Sequence, residues 1–151
     1  MFDSATARRM MVDGQVRTAD VTDLELIAAM AALPRERFVP AALAEQAYRD
    51  GDIAIGDGRV LLKPMVLAKL IQAARVRGSD HVLDVGCGTG YSSAVLARLA
   101  GSVVALEEDA TLAQQAKATL AATDGSHVTV ATAPLTAGSP VFSAAGRPAR
   151  P

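Results

Sequence analysis

Residues 81 to 101 read HVLDVGCGTGYSSAVLARLAG. The short apolar run HVLDV ends in a loop with glycine at every second position, Gly86, Gly88 and Gly90, and the loop opens into the helical stretch YSSAVLARLA, stopped by Gly101. Such a run is a buried strand, and a strand that feeds a helix through a tight glycine loop must be followed by a second strand lying parallel to it. The chain supplies that partner in SVVALE, then a helix in ATLAQQAKATLAA, a turn at TDGS and a third strand in HVTVA. Strand, helix, strand, helix, strand is half of a doubly wound parallel sheet, so the expected class is α/β.

Upstream of the glycine loop the pattern is mainly helical. The first 17 residues fit a short helix. TDLELIAAMAAL, residues 22 to 33, predicts a firm helix with Thr22 as N-cap, Glu25 completing a capping box, Leu24, Ile27, Ala28 and Ala31 on its apolar face, and Pro34 ending it. Residues 34 to 62 mix prolines, glycines and short apolar pieces, which predicts loops and a short helix. Pro64 can open the next helix, whose apolar stripe is Leu67, Leu70, Ile71 and Ala74. The expected organisation is an N-terminal helical and loop cap over 1–75 and a partial sheet domain over 76–132. Residues 133–151, rich in Ala, Pro, Gly and Arg without a period, are expected to be disordered.

Composition removes several classes of function. Of the 151 residues 50% are hydrophobic, enough for one core, and a net charge of -1 offers no field for nucleic acid or an anionic membrane. With 3% aromatic residues and no Trp there is no platform for stacking bases. No apolar run approaches a membrane span, and the opening MFDSATARRMM has no apolar stretch behind its arginines, so the expected location is the cytoplasm. The single cysteine, Cys87, rules out an internal disulfide and a cysteine metal cluster, and no metal site is expected.

A strand–glycine-loop–helix unit is a ligand site, because the helix N-terminus offers free N–H groups and glycine lets a ligand approach the backbone. The dinucleotide fingerprint G-x-G-x-x-G fails here: Tyr91 holds its third glycine position, and Asp84 precedes the first glycine by two residues, where a carboxylate would repel a pyrophosphate. That carboxylate suits an ammonium group instead. Glu107 ends the second strand, 21 residues after Gly86, where this fold places the acid that grips ribose hydroxyls. A ligand with a ribose, a cationic amino-acid end and no phosphate is S-adenosyl-L-methionine. The candidate cofactor residues are Asp84, Gly86, Cys87, Gly88, Gly90 and Glu107. The competing readings are a nicotinamide-dependent oxidoreductase, disfavoured by Asp84 and Tyr91, and Asp84 and Glu107 as ordinary capping or surface acids. Cys87 reads as a small loop residue and not as a nucleophile, and no catalytic residue is assigned.

LDVGCGTGYSSAVLARL followed by VVALEED resembles the first two motifs of class I methyltransferases, and MVDGQVR, AMAALPRERFVP and AYRDGDIAIGDGRVLLKPMVLAKLI resemble protein-L-isoaspartate O-methyltransferases. The resemblance covers roughly residues 10 to 132. It implies a Rossmann-like fold and a methyl transfer from S-adenosyl-L-methionine to the side carboxyl of isomerised aspartate in proteins or peptides. In the segment that the family writes Gly-Gln-Thr-Ile-Ser-Gln-Pro, this chain has Gly58, Arg59, Val60, Leu61, Leu62, Lys63 and Pro64, so Val60 and Leu62 replace the two hydroxyl residues. The family's Gly-Asp-Gly after the third strand is Ala133, Pro134 and Leu135 here, and its fourth strand does not follow. The fold is therefore expected to be the half carrying the first three strands, with an exposed sheet edge open to self-association, and a shifted reading frame or a premature stop near Gly138 would account for the ending. The alternative that these departures imply is a non-catalytic remnant, or a binding module that kept the fold.

Overall fold

The computed structural model describes residues 1–56 and 58–139. Helix α1, Ser4–Met11, is capped by Asp3, whose carboxylate accepts from the N–H groups of Ala5 and Thr6. A π-turn over Val12–Val16 and a 3-10 turn over Arg17–Ala19 lead to α2, Leu24–Ala32. The α2 cap is Asp23 and not Thr22: the Asp23 carboxylate accepts from Glu25 and Leu26 N–H at 3.0 and 3.1 Å, while the Thr22 N–H donates to Gln72 Oε1. The buried face is Leu26, Ile27, Ala29 and Met30, so of the expected apolar face only Ile27 is buried, and Leu24, Ala28 and Ala31 are exposed.

Arg35–Phe38 and Ala41–Gln46 are 3-10 turns, followed by an antiparallel hairpin of β1, Ile53–Gly56, and β2, Arg59–Leu61, where loops and a short helix were expected. Its strands are too short to show a period, and the register shifts between Ala54 and Gly56. Gly56 sits at φ 143°, and this bulge aims Arg59 back toward the sheet. The hairpin is fastened at its base. Asp52 Oδ1 accepts the Lys63 N–H at 2.8 Å, and the buried guanidinium of Arg35 donates to Ala47 O and Leu62 O, both at 2.7 Å.

Pro64 opens α3, Pro64–Ala74, as expected. Then β3, His81–Val85, β4, Ser102–Glu107, and β5, Thr129–Thr132, form a parallel sheet in the order β3-β4-β5. Helix α4, Tyr91–Ala97, joins β3 to β4, and α5, Ala110–Ala121, joins β4 to β5. A Cβ added at Gly90 would lie 3.1 Å from Leu120 and 3.3 Å from Ala116, so α4 starts against α5 and the two helices cover one face of the sheet. Strand β4, central and covered, is buried from Val103 to Glu107, as its unbroken apolar run requires. Strand β3 is only partly buried, because among the described residues it pairs with β4 alone. Residues Leu135–Ala137 form a 3-10 turn, and residues 140–151, most of the tail expected to be disordered, lie outside the described residues.

Candidate functional site

Three left-handed glycines build the loop after β3: φ is 76° at Gly86, 58° at Gly88 and 98° at Gly90. A side chain at any of them costs on the order of 1–2 kcal/mol in backbone strain. A Cβ at Gly88 would also come within 2.7 Å of Ile55 on the hairpin. The loop is pinned on two sides. Gly86 and Cys87 N–H both donate to Leu106 O, at 2.8 and 3.1 Å, and Thr89 Oγ1 donates to Phe38 O at 2.6 Å. Tyr91 starts α4 fully buried, edge-on to Phe38 at 5.4 Å and under the Arg35 guanidinium at 4.8 Å. That packing explains why the dinucleotide fingerprint breaks at this position: a ring anchors the helix start to the cap where a glycine would let the helix approach the strand.

Beside the loop lies a cleft of about 370 Å³. The whole α3 stripe, Leu67, Leu70, Ile71 and Ala74, stands on its wall, and so do Val60, Leu62 and the exposed flank of β3. Asp84, Gly86, Cys87 and Gly88 complete it at the loop end. The wall at Val60 and Leu62 is apolar where hydroxyl residues were compared in sequence. Asp84 Oδ2 accepts from Ser92 Oγ at 2.6 Å and Ser93 Oγ at 2.7 Å, while Oδ1 has no donor among the described residues. The serines fix the carboxylate and leave one oxygen for a cation. Burial, with the nearby Asp84 and Glu107 charges, pushes the Cys87 thiol up to about 12, so it stays protonated and unreactive at neutral pH.

Glu107 is fully buried and does not reach the cleft. Arg59 Nη1 donates to its Oε1 and Nη2 to its Oε2, both at 2.7 Å. The Asp109 N–H adds a bond to Oε1 at 3.0 Å and the Gly88 N–H one to Oε2 at 2.9 Å. Burial alone would raise this carboxyl, but the bonds from Arg59, Asp109 and Gly88 together outweigh it and hold it below the usual carboxylate range. The same hydrogen bond raises Arg59, so the pair is ionised on both sides.

A family model described as Protein-L-isoaspartate(D-aspartate) O-methyltransferase matches residues 7–143. The chain belongs to this family. The protein-L-isoaspartate O-methyltransferase of Methylorubrum extorquens (strain PA1) is 46% identical over 120 residues, covering 80% of this chain and 53% of that protein. The one from Pelotomaculum thermopropionicum is 36% identical over 154 residues, covering 97% of this chain and 67% of that protein. The chain spans about half the length of several such relatives, 53%, 57% and 48% in three of them. Among solved structures, a protein-L-isoaspartate O-methyltransferase superposes with a TM-score of 0.77 at 23% identity, over 89% of this chain and 44% of that one. A Plasmodium falciparum protein described as a putative protein-L-isoaspartate O-methyltransferase in complex with S-adenosyl-L-homocysteine superposes with a TM-score of 0.71 at 17% identity, over 83% and 62%. These superpositions establish the class I methyltransferase fold.

Of the six residues singled out in sequence, the structure brings Asp84, Gly86, Cys87 and Gly88 to the cleft. Gly90 sets the N-terminus of α4, and Glu107 lies one layer deeper, behind Arg59. Arg59 and Arg35 were not singled out. The nearest signal was a basic residue in the segment where Val60 and Leu62 already depart from the family. Among the described residues no cluster of His, Cys, Asp and Glu could hold a metal ion, and no helix is long and apolar enough to cross a membrane.

Proposed function

We propose that this chain supplies the cofactor half-site of an S-adenosyl-L-methionine-dependent O-methyltransferase acting on the side carboxyl of isoaspartyl residues in proteins or peptides. The observation that carries the reading is Asp84 on the cleft wall beside the left-handed glycine loop, one carboxylate oxygen clamped by Ser92 and Ser93 and the other without a donor among the described residues. A cationic amino-acid end fits that free oxygen. The cofactor, when bound, supplies an electrophilic methyl group on a sulfonium. Gly86 and Gly88 would let it lie against the backbone, Cys87 would fill the loop without reacting, and Glu107 would meet the ribose only with the Arg59 guanidinium moved off its carboxylate.

The acceptor needs no general base, because a carboxylate with an ordinary pKa near 4 is already ionised at neutral pH. The chain's task is to orient it and exclude water, and the apolar wall of Val60, Leu62, Leu67 and Ile71 removes solvent from such an oxygen. Calorimetric titration of the 151-residue chain with S-adenosyl-L-homocysteine tests the cofactor reading. A micromolar Kd is expected, and Asp84→Asn is expected to weaken it at least about tenfold. No heat from a folded protein overturns it. Methyl transfer to an isoaspartyl peptide, compared with its aspartyl isomer, tests the acceptor: equal or absent transfer to both removes isoaspartate as the substrate.

A further inference from the structure

Each Glu107 oxygen already has two donors, which is all an sp2 carboxylate oxygen holds comfortably in its plane: Arg59 and Asp109 on Oε1, Arg59 and Gly88 on Oε2. Two of the four are backbone N–H groups fixed by the loop and by the start of α5. The other two come from one side chain on a hairpin that is separate from the main sheet. Arg59 is the replaceable ligand. Its guanidinium also lies over the glycine loop, since a Cβ added at Gly86 would stand 3.4 Å from Nη2. The cleft reaches Gly86, Cys87 and Gly88 on the loop but stops short of Glu107.

We infer that Arg59 is a latch on the nucleoside subsite: it occupies the carboxylate that a ribose diol would use, and a ligand binds fully only by displacing it. The inference rests on the cofactor reading above and concerns the control of that same site. A neutral diol is a weaker partner for a buried carboxylate than a bidentate guanidinium. The diol alone therefore does not open the latch. The rest of the ligand, above all an ammonium group on Asp84, must provide the difference. The side chain that leaves is already 28% exposed, against 0% for Glu107, so it can swing outward without crossing the core. The hairpin that carries it has strands of four and three residues, a size with little stability of its own. The latch thus couples the two ends of the ligand, and free adenosine is a poor ligand despite having the ribose.

Titrating S-adenosyl-L-homocysteine and adenosine into the unaltered chain and into Arg59→Gln tests this. Closing lowers apparent affinity by the fraction of molecules with the latch open, so Arg59→Gln is expected to bind S-adenosyl-L-homocysteine at least about tenfold more tightly, with a gain of about the same factor for adenosine. Equal or weaker binding by a folded Arg59→Gln overturns the latch while leaving the cofactor reading intact. Failure of both folded proteins to bind removes the cofactor reading and the latch with it. Since Arg59→Gln leaves Glu107 without its cation, the unaltered protein is also followed by NMR with labelled arginine. The paired Nη–H protons of Arg59 should be distinct in the free chain and collapse into rapid exchange on saturation with S-adenosyl-L-homocysteine. Signals that persist at saturation overturn the latch without any substitution.

Discussion

Glu107 shows what one residue's surroundings decide. Its position at the end of β4 was readable from spacing, but its state was not, because the partner is 48 residues away on a hairpin that has no sequence signature. With a folded-state pKa below the ordinary value of about 4.3, the unfolded chain binds more protons than the folded one through the acidic range. The contribution of Glu107 is therefore fully present above that ordinary value and is lost as pH falls through the lowered folded value. Glu107→Gln should cost about 1–3 kcal/mol at pH 7, and the gap between variant and parent should shrink as pH falls through the lowered folded value, where the parent becomes protonated too. Urea midpoints of both proteins across that range check it, and a gap independent of pH would mean that the pair is not ionic. Asp84 was the easier case. Both of its serine partners lie within nine residues, on the helix that the loop itself starts.

Elements were readable where a period could build up, and not elsewhere. Helices α3 and α5 and the three parallel strands each carry a long or unbroken pattern, and the structure has them at the expected places. The β1–β2 hairpin does not, since its strands are short and a glycine bulge breaks the alternation. Thr22 and Asp23 are both good caps standing side by side, and composition cannot choose between them. The choice was made by tertiary contact: Gln72 on α3 takes the backbone N–H of Thr22 and of Asp23, which fixes where α2 begins. Asp23→Ala should lower stability by about 1 kcal/mol, whereas Thr22→Ala should stay within about 0.5 kcal/mol, as its N–H bond to Gln72 survives. Thermal unfolding of the two variants separates them, and equal losses would mean that the cap is shared.

At the scale of the molecule, the order β3-β4-β5 followed from the alternation of strands and helices, and β3 was expected at the exposed edge of the half sheet. Its apolar run reads as a covered strand, yet the burial of such a run depends on what lies on both sides of it. The N–H of Gly86 donates to Leu106 O, and the backbone alternates with a period of two, so Val82 and Asp84 also turn their N–H groups toward β4, while Leu83 and Val85 turn theirs away. One strand therefore holds two populations of amide proton. In deuterated water Val82 and Asp84 should keep their protons far longer than Leu83 and Val85, in strict alternation along the strand. Amide-resolved exchange reads this directly, and uniform protection across the four residues would mean that the outer side of β3 is covered in solution. The edge of the sheet thus becomes a clock with two rates, and the slower one times the opening of the strand that leads into the glycine loop.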